Sequence, residues 1–233
     1  MRTIGLIGGI SWLSTSEYYR MLNETVNREL GGNNFAQCII YSFNYERVLE
    51  YTRKEDWDNV ARLFSEAAQN LEKAGADCIG LCANTAHLVA PKVQQAISIP
   101  ILSLVDATVA EIQKQQLKNV LLLGTKFTML KPFFREKLEA AGIEVLTPSA
   151  ADMDFIHQTI FDELGRGIFT ASTKERYLSV INSFAQQGAQ GVIFACTEIP
   201  LIIKPEEVNI PSFDTTSIHV AALAKFVMHP SFP

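Results

Sequence analysis

Gly75-Ala-Asp-Cys-Ile-Gly-Leu-Cys-Ala-Asn-Thr85 sets a glycine turn, a short apolar run and a thiol in line, and Gly188-Ala-Gln-Gly-Val-Ile-Phe-Ala-Cys-Thr197 repeats the arrangement in the second half of the chain. Apolar runs of this length bounded by turn residues read as buried strands. Cys82 and Cys196 each end such a strand ahead of polar residues, which places them at a carboxyl edge, where open parallel sheets keep their sites. The likeness extends outward in both directions. Thr3-Ile-Gly-Leu-Ile-Gly-Gly9 matches Asn119-Val-Leu-Leu-Leu-Gly-Thr125 upstream, and Ile99-Pro-Ile-Leu-Ser-Leu-Val-Asp-Ala-Thr108 matches Ile210-Pro-Ser-Phe-Asp-Thr-Thr216 downstream. Gly8 precedes Cys82 by 74 residues and Gly124 precedes Cys196 by 72. Similarity at so long a period indicates a doubled unit rather than a solenoid. If a pseudo-twofold relates the copies, Cys82 and Cys196 face each other across the joint.

The segments between the strands carry helical periodicity, and steady alternation of strand and helix implies parallel sheets with right-handed crossovers. The first helix is expected to start at a capping box, Ser14-x-x-Glu17, to bury Tyr18, Leu22, Val26 and Leu30, and to stop at Gly31-Gly32. A second follows Asp56 with Val60, Leu63, Phe64, Ala67 and Leu71 on one face, and a third spans Thr85 to Ile97. The tail from Ile210 is expected to cross back and complete the first unit. The domains are therefore drawn as 1–98 with 209–233, and 99–208.

Composition narrows the function classes. The 233 residues suffice for one large or two small cores, and 48% hydrophobic with 19% charged residues argues against disorder. No apolar run approaches the roughly 20 residues of a membrane span, and Met1-Arg-Thr-Ile-Gly enters a strand at once, so a cytoplasmic protein is expected. The net charge of −5 and the lack of a basic stripe speak against a nucleic-acid partner. Four cysteines without a C-x-x-C pair are expected to be free thiols. Cys38 and Cys78, inside apolar strands, read as small buried hydrophobes. The Gly5-Leu-Ile-Gly-Gly9 turn lacks the G-x-G-x-x-G spacing of a dinucleotide cradle, and reads instead as a tight turn that brings backbone close to a small ligand. A metal site is not expected, since each strand-end cysteine has at most one nearby His or Glu. A Cys-His-Asn hydrolase would need a single nucleophile and leaves the second thiol unexplained.

Gly8-Gly-Ile-Ser-Trp-Leu-Ser-Thr15 with Tyr18-Tyr19, Cys82-Ala-Asn-Thr85 with His87, Gly124-Thr-Lys-Phe-Thr-Met129, Cys196-Thr-Glu-Ile-Pro200, and Asp214-Thr-Thr216 with His219 together make a pattern that resembles the cofactor-independent aspartate/glutamate racemase superfamily, in its aspartate racemase branch, which includes broad-specificity amino-acid racemases. The resemblance covers nearly the whole chain. It implies two pseudo-symmetric parallel-sheet α/β domains with the active site in the cleft between them, Cys82 and Cys196 as paired acid and base, a small amino-acid substrate, no cofactor, no metal, and a homodimer. Asn84, Thr85 and Thr197 are then expected to hold the substrate's carboxylate and ammonium, with Thr125 and Thr128 nearby and Ser11 on the first loop. Glu198 would contact the ammonium, Arg47 or Arg166 a side-chain carboxylate, and His87 and His219 are candidates to support the thiols. Glutamate racemases carry Asp-Ser-Gly in the first loop and a His after the second Cys-Thr, where this chain has Ile7-Gly8-Gly9 and Glu198. Some aspartate-specific members place a lysine where Gly165 stands here, beside Arg166. Both departures favour several uncharged or weakly polar substrates over aspartate or glutamate. Another isomerase or a decarboxylase of the same superfamily, or a non-enzymatic two-domain binding protein, would share the fold.

Overall fold

The computed structural model describes residues 1–228, and the chain divides into two compact units: Met1–Leu104 with the chain from His219 onward, and Val105–Ile218. The first unit holds β1 (Ile4–Gly8), α1 (Trp12–Leu30), β2 (Cys38–Ser42), α2 (Tyr45–Thr52), α3 (Trp57–Lys73), β3 (Cys78–Leu81), a 3-10 turn over Asn84–Leu88 and α4 (Ala90–Gln94). Then come α5 (Leu104–Lys114), β4 (Asn119–Gly124), α6 (Lys126–Leu130), α7 (Pro132–Ala140), β5 (Glu144–Leu146), α8 (Ala150–Asp162), α9 (Ala171–Gln186), β6 (Val192–Ala195), α10 (Ile199–Ile202), β7 (Ser212–Asp214) and α11 (Thr215–Met228).

Every strand pair is parallel. One sheet runs β2-β1-β3, and Ile101 adds a single bridge beside Ile79; the other runs β5-β4-β6-β7. The order β2-β1-β3 corresponds to β5-β4-β6, as the sequence repeat requires, and the Ile101 bridge stands where β7 adds a fourth strand. Both glycines that open the repeat serve close packing. A Cβ at Gly8 would lie 2.3 Å from the Thr15 hydroxyl, and one at Gly124 would lie 2.7 Å from the Ala195 carbonyl oxygen.

The downstream repeats end differently from expectation. Pro100 O and Leu102 N bond the two polar groups of Ile79, but the helix α5 begins at Leu104, so the segment from Ile99 contributes one bridge rather than a strand. The tail from Ile210 does not complete the first sheet: β7 pairs with β6 in the second. What crosses back is α11, whose Val220, Leu223, Ala224 and Val227 pack with Ile4, Leu6, Tyr18, Leu22 and Val26 in the first unit's core. The boundaries expected at 99 and 209 accordingly fall at 104/105 and 218/219. A strand is placed by its ladder and a helix by its apolar face, and here the two divide a segment that reads as one piece of sequence.

Local chemistry explains most helix ends. The Asp56 carboxylate accepts the Asn59 amide at 3.1 Å and caps α3, whose Val60, Leu63, Phe64, Ala67 and Leu71 are buried. Fully burying one such side chain stabilises the fold by about 1.5–3 kcal/mol. The helix expected over Thr85–Ile97 is instead a 3-10 turn followed by α4, because Pro91 has no N–H to continue a helix and is tolerated in a first turn. The capping box at Ser14 does not form. The α1 helix starts at Trp12 behind Ser11, and Glu17 pairs with Arg20 at 2.6 Å.

Candidate active site

In the first unit β3 delivers Cys82 to the carboxyl edge of its sheet. The Cys82 amide bonds the Ile7 carbonyl, extending the β1–β3 ladder by one residue, and Ser14 Oγ donates to the Cys82 carbonyl. The thiol is 1% exposed, and no side chain among the described residues hydrogen-bonds its sulfur. Burial, with Cys38 nearby adding to it, holds the thiol well above its ordinary value. Desolvation disfavours the charged form, so the group is held as the thiol.

The adjoining glycine turn is held by Thr15, whose hydroxyl accepts the Gly9 amide at 2.8 Å and donates to the Ser11 carbonyl at 3.0 Å. Gly9 sits at φ 83°, a left-handed conformation that favours glycine. Ser11 is half-buried behind Trp12, which is 69% exposed. Asn84 is buried and Thr85 half-buried on the turn after Cys82. Arg47 lies on α2, an eight-residue helix absent from the sequence expectation, whose Asn44 cap accepts the Glu46 amide. Its guanidinium makes no ion pair among the described residues, and it lines a groove of about 340 Å³ with Ile40, Tyr41, Ser42, Phe43 and Asn44, beyond the carboxyl end of β2.

In the second unit β6 delivers Cys196 to the equivalent edge, 9% exposed. Here the sulfur has a partner. Cys196 Sγ donates to Glu198 Oε2 at 2.9 Å, and Thr197 Oγ1 donates to the same oxygen at 2.8 Å. Glu198 is itself buried. Burial first, and then the Glu198 carboxylate, raise the Cys196 thiol above its ordinary value. Thr125 caps α6: its hydroxyl accepts the Thr128 amide at 3.4 Å and lies 3.3 Å from the Thr128 hydroxyl. His157 Nδ1 accepts the next amide, that of Lys126, at 3.2 Å, and so fixes the entry to α6 from α8. Tyr177, fully buried, meets Thr159 Oγ1 at 3.1 Å and donates to the Ile156 carbonyl at 3.2 Å in the same core cluster as Cys196.

Several expected contributors lie elsewhere. The ring nitrogens of His87 bond Ala83 and Leu104, and those of His219 bond Tyr18 and Leu102. Arg166 is exposed, and its guanidinium faces Asp162 at 3.6 Å. A Cβ at Gly165 would lie 2.9 Å from the Ile160 carbonyl oxygen, so the turn beside Arg166 is shaped for glycine. Ser14 and Thr15 brace the loops of the first unit and His157 and Tyr177 bond within the second, and none of the four is an expected site residue. Ser14 and Thr15 stand within an expected helix start, and the bonds they make instead reach to residues 82 and 9. No three His, Cys, Asp or Glu side chains among the described residues are grouped to hold a metal ion, and no helix among them is long and apolar enough to cross a membrane.

Known proteins share this architecture. The broad specificity amino-acid racemase RacX of Bacillus subtilis (strain 168) is 27% identical over 232 residues, which are 95% of each chain. A solved structure of a candidate Asp/Glu racemase from Yersinia pestis superposes with a TM-score of 0.92 at 41% identity, over 98% of this chain and 100% of that one. An aspartate racemase homologue from Pyrococcus horikoshii OT3 superposes with a TM-score of 0.84 at 35% identity, with the same coverage. The model of the Asp/Glu/hydantoin racemase family matches residues 7–223, and with two strand-end thiols standing on two like-ordered sheets, the chain belongs to that family.

Proposed function

We propose that this protein is an amino-acid racemase that works without a cofactor, with Cys82 and Cys196 as an acid and base pair serving opposite faces of the substrate's α-carbon. The observation that carries the reading is that each sheet ends one equivalent strand, β3 or β6, in a buried cysteine. For one enantiomer, the thiolate of one cysteine takes the α-hydrogen as a proton. The C–H electron pair stays on the α-carbon and delocalises into the carboxylate, and the thiol of the other cysteine gives its proton to the opposite face. One S–H bond forms and one breaks, so the two sulfurs have exchanged states, and the mirror-image substrate resets them. Both sulfurs rest as thiols, since burial raises both. Glu198, already bonded to Cys196 Sγ, is the group placed to take a proton from it.

Asn84, Thr85 and Thr197 would grip the substrate's carboxylate and ammonium, with Ser11, Thr125 and Thr128 around them, and fixed donors would stabilise charge entering the carboxylate. The substrate range extends beyond aspartate. Gly165 stands where some aspartate-specific members place a lysine, and the Bacillus relative is named for broad specificity. Single enantiomers of aspartate, glutamate, homoserine, methionine and alanine, each incubated in deuterated water and resolved by chiral chromatography and mass, test this reading. The opposite enantiomer should appear carrying one deuterium for several of them. Binding without inversion of any would sink it in favour of a two-unit binding protein.

A further inference from the structure

His87 and His219 are buried, 4% and 0% exposed, and neither takes part in the proton transfers assigned to the cysteines. Their partners determine which nitrogen of each ring carries hydrogen. His219 Nε2 lies 2.8 Å from the Leu102 carbonyl oxygen, which can only accept, so Nε2 carries the proton. Nδ1 is then the acceptor and receives the Tyr18 hydroxyl at 2.9 Å. For His87 the assignment inverts. The Leu104 amide can only donate, so Nε2, 3.1 Å from it, is the acceptor, and Nδ1 carries the proton to the Ala83 carbonyl at 3.2 Å. The rings stand 5.6 Å apart at 75°, in opposite tautomers, both neutral, with all four nitrogens engaged. Burial, with His87 beside it, pushes His219 down to about 3, so the His219 ring stays neutral across the working pH range.

The residues so held are not scattered. Leu102 and Leu104 lie at the end of the segment by which the chain leaves the first unit, and His219 is the first residue on its return. Ala83 directly follows Cys82. One helical turn before Tyr18, Ser14 of α1 donates to the Cys82 carbonyl itself. The bonds thus form a frame: α1 grips the Cys82 turn and His219, His219 grips the outgoing chain, and His87 ties that chain back to the Cys82 turn.

We infer that His87 and His219 are positioning residues of the racemase, a neutral two-histidine brace that sets the Cys82 turn against both chain crossings and carries no proton in turnover. The catalytic part of this inference rests on the reading of Cys82 as an acid and base group; the brace itself does not. Three variants separate the possibilities. His87→Leu removes both bonds. His87→Gln keeps an acceptor for the Leu104 amide, and His87→Asn keeps a donor for the Ala83 carbonyl. Alkylation of each cysteine by iodoacetamide, followed by peptide mass, reads the turn without reference to activity. In folded His87→Leu, Cys82 should react several-fold faster than in the native protein while Cys196 is unchanged, with His87→Gln and His87→Asn in between. In turnover, His87→Leu should lose about 10- to 100-fold, the scale of a misplaced reacting group. The α-deuterium isotope effect should rise only in the direction in which Cys82 abstracts the proton. If His87→Leu does not fold, the Gln and Asn variants carry the same two measurements. Unchanged Cys82 alkylation in the folded variants overturns the brace. Faster Cys82 alkylation alongside undiminished racemisation by Cys82→Ser would leave the brace standing and refute the two-base reading instead.

Discussion

The turns after β3 and β6 occupy the same place in two sheets of the same order, yet they treat their thiols differently. Cys196 bonds a buried carboxylate two residues on, whereas Cys82 has no side-chain partner on sulfur among the described residues and is held through its backbone by Ser14 and, one residue later, by His87. The strand frame is what the repeat conserves within the chain. The partner at sulfur differs with the residues that follow each cysteine, Ala-Asn-Thr in one copy and Thr-Glu-Ile in the other. What both share is desolvation, the first cause of the raised thiol in each case.

The strongest break of the comparison removes one sulfur at a time. If the proposed two-base reading holds, Cys82→Ala and Cys196→Ala should each lower racemisation by about a thousandfold or more, because a positioned acid or base contributes about 10²–10⁴ and each thiol would serve both directions. Each variant should still exchange the α-hydrogen of one enantiomer with solvent, measured by deuterium uptake without inversion. Near-native racemisation by either one means that its sulfur is not a base.

A milder change tests the asymmetry itself. Glu198→Gln keeps the shape and an acceptor oxygen but deletes the charge that helps raise Cys196. The thiol should then ionise at lower pH, seen as earlier thiolate absorbance and faster alkylation of Cys196 but not Cys82. Racemisation should nonetheless fall by about a hundredfold, since the group placed to take the thiol's proton is gone. An unaltered rate would leave Glu198 as no more than a buried neighbour.

Much of this was legible in the sequence because strands and glycines act locally. The apolar runs that became β1, β3, β4 and β6 and the two strand-end thiols needed no long-range information. Neither did the cap at Asp56. The rest depended on partners remote in sequence. Ser14 looks like the start of a capping box, but its hydroxyl finds the carbonyl of residue 82. The histidines near the cysteines look like bases until the carbonyl of Leu102 and the amide of Leu104 claim them. The α2 helix escaped because it is short and buries only Val48 fully, a signal too weak to stand out from loop. The exchange of α5 and α11 between units could not be read from the repeat, since the repeat aligns sequence and says nothing of which core each helix enters.

Burial of both thiols also makes a stability difference between folded and unfolded chains. The ordinary thiol value is 9.0, and both folded values lie above it. As pH rises past 9 the unfolded chain releases these protons while the folded chain keeps them, so the folded state binds more protons and stability falls. Below that point the contribution is fully present. The melting temperature should decline between about pH 8 and 10.5, and Cys82→Ala with Cys196→Ala in one chain should flatten the decline. An equally steep fall in the double variant would assign it to Cys78, pushed up to about 12, to the Cys38 thiol, also raised by burial, or to the buried Tyr177 hydroxyl.

The smallest effects compare two arginines. Arg166 is two-thirds exposed and bridges to Asp162 at 3.6 Å, an exposed i,i+4 pair of the kind that contributes little. Arg166→Ala should leave the melting temperature within about 2 °C of native and every rate unchanged. Arg47 is also exposed, but it has no ion pair among the described residues and lines the groove past β2. A substrate carboxylate reaching that groove would find a planar donor pair suited to it. Arg47→Ala should therefore weaken aspartate, with KM rising about tenfold, while alanine, methionine and homoserine change by less than about twofold, because a single charge-assisted contact is lost only by the substrate that makes it. Loss of all substrates together would move Arg47 from the side-chain pocket to the common carboxylate. Strict preference of the native protein for aspartate, abolished in Arg47→Ala, would overturn the broad range and make this arginine the anchor of specificity.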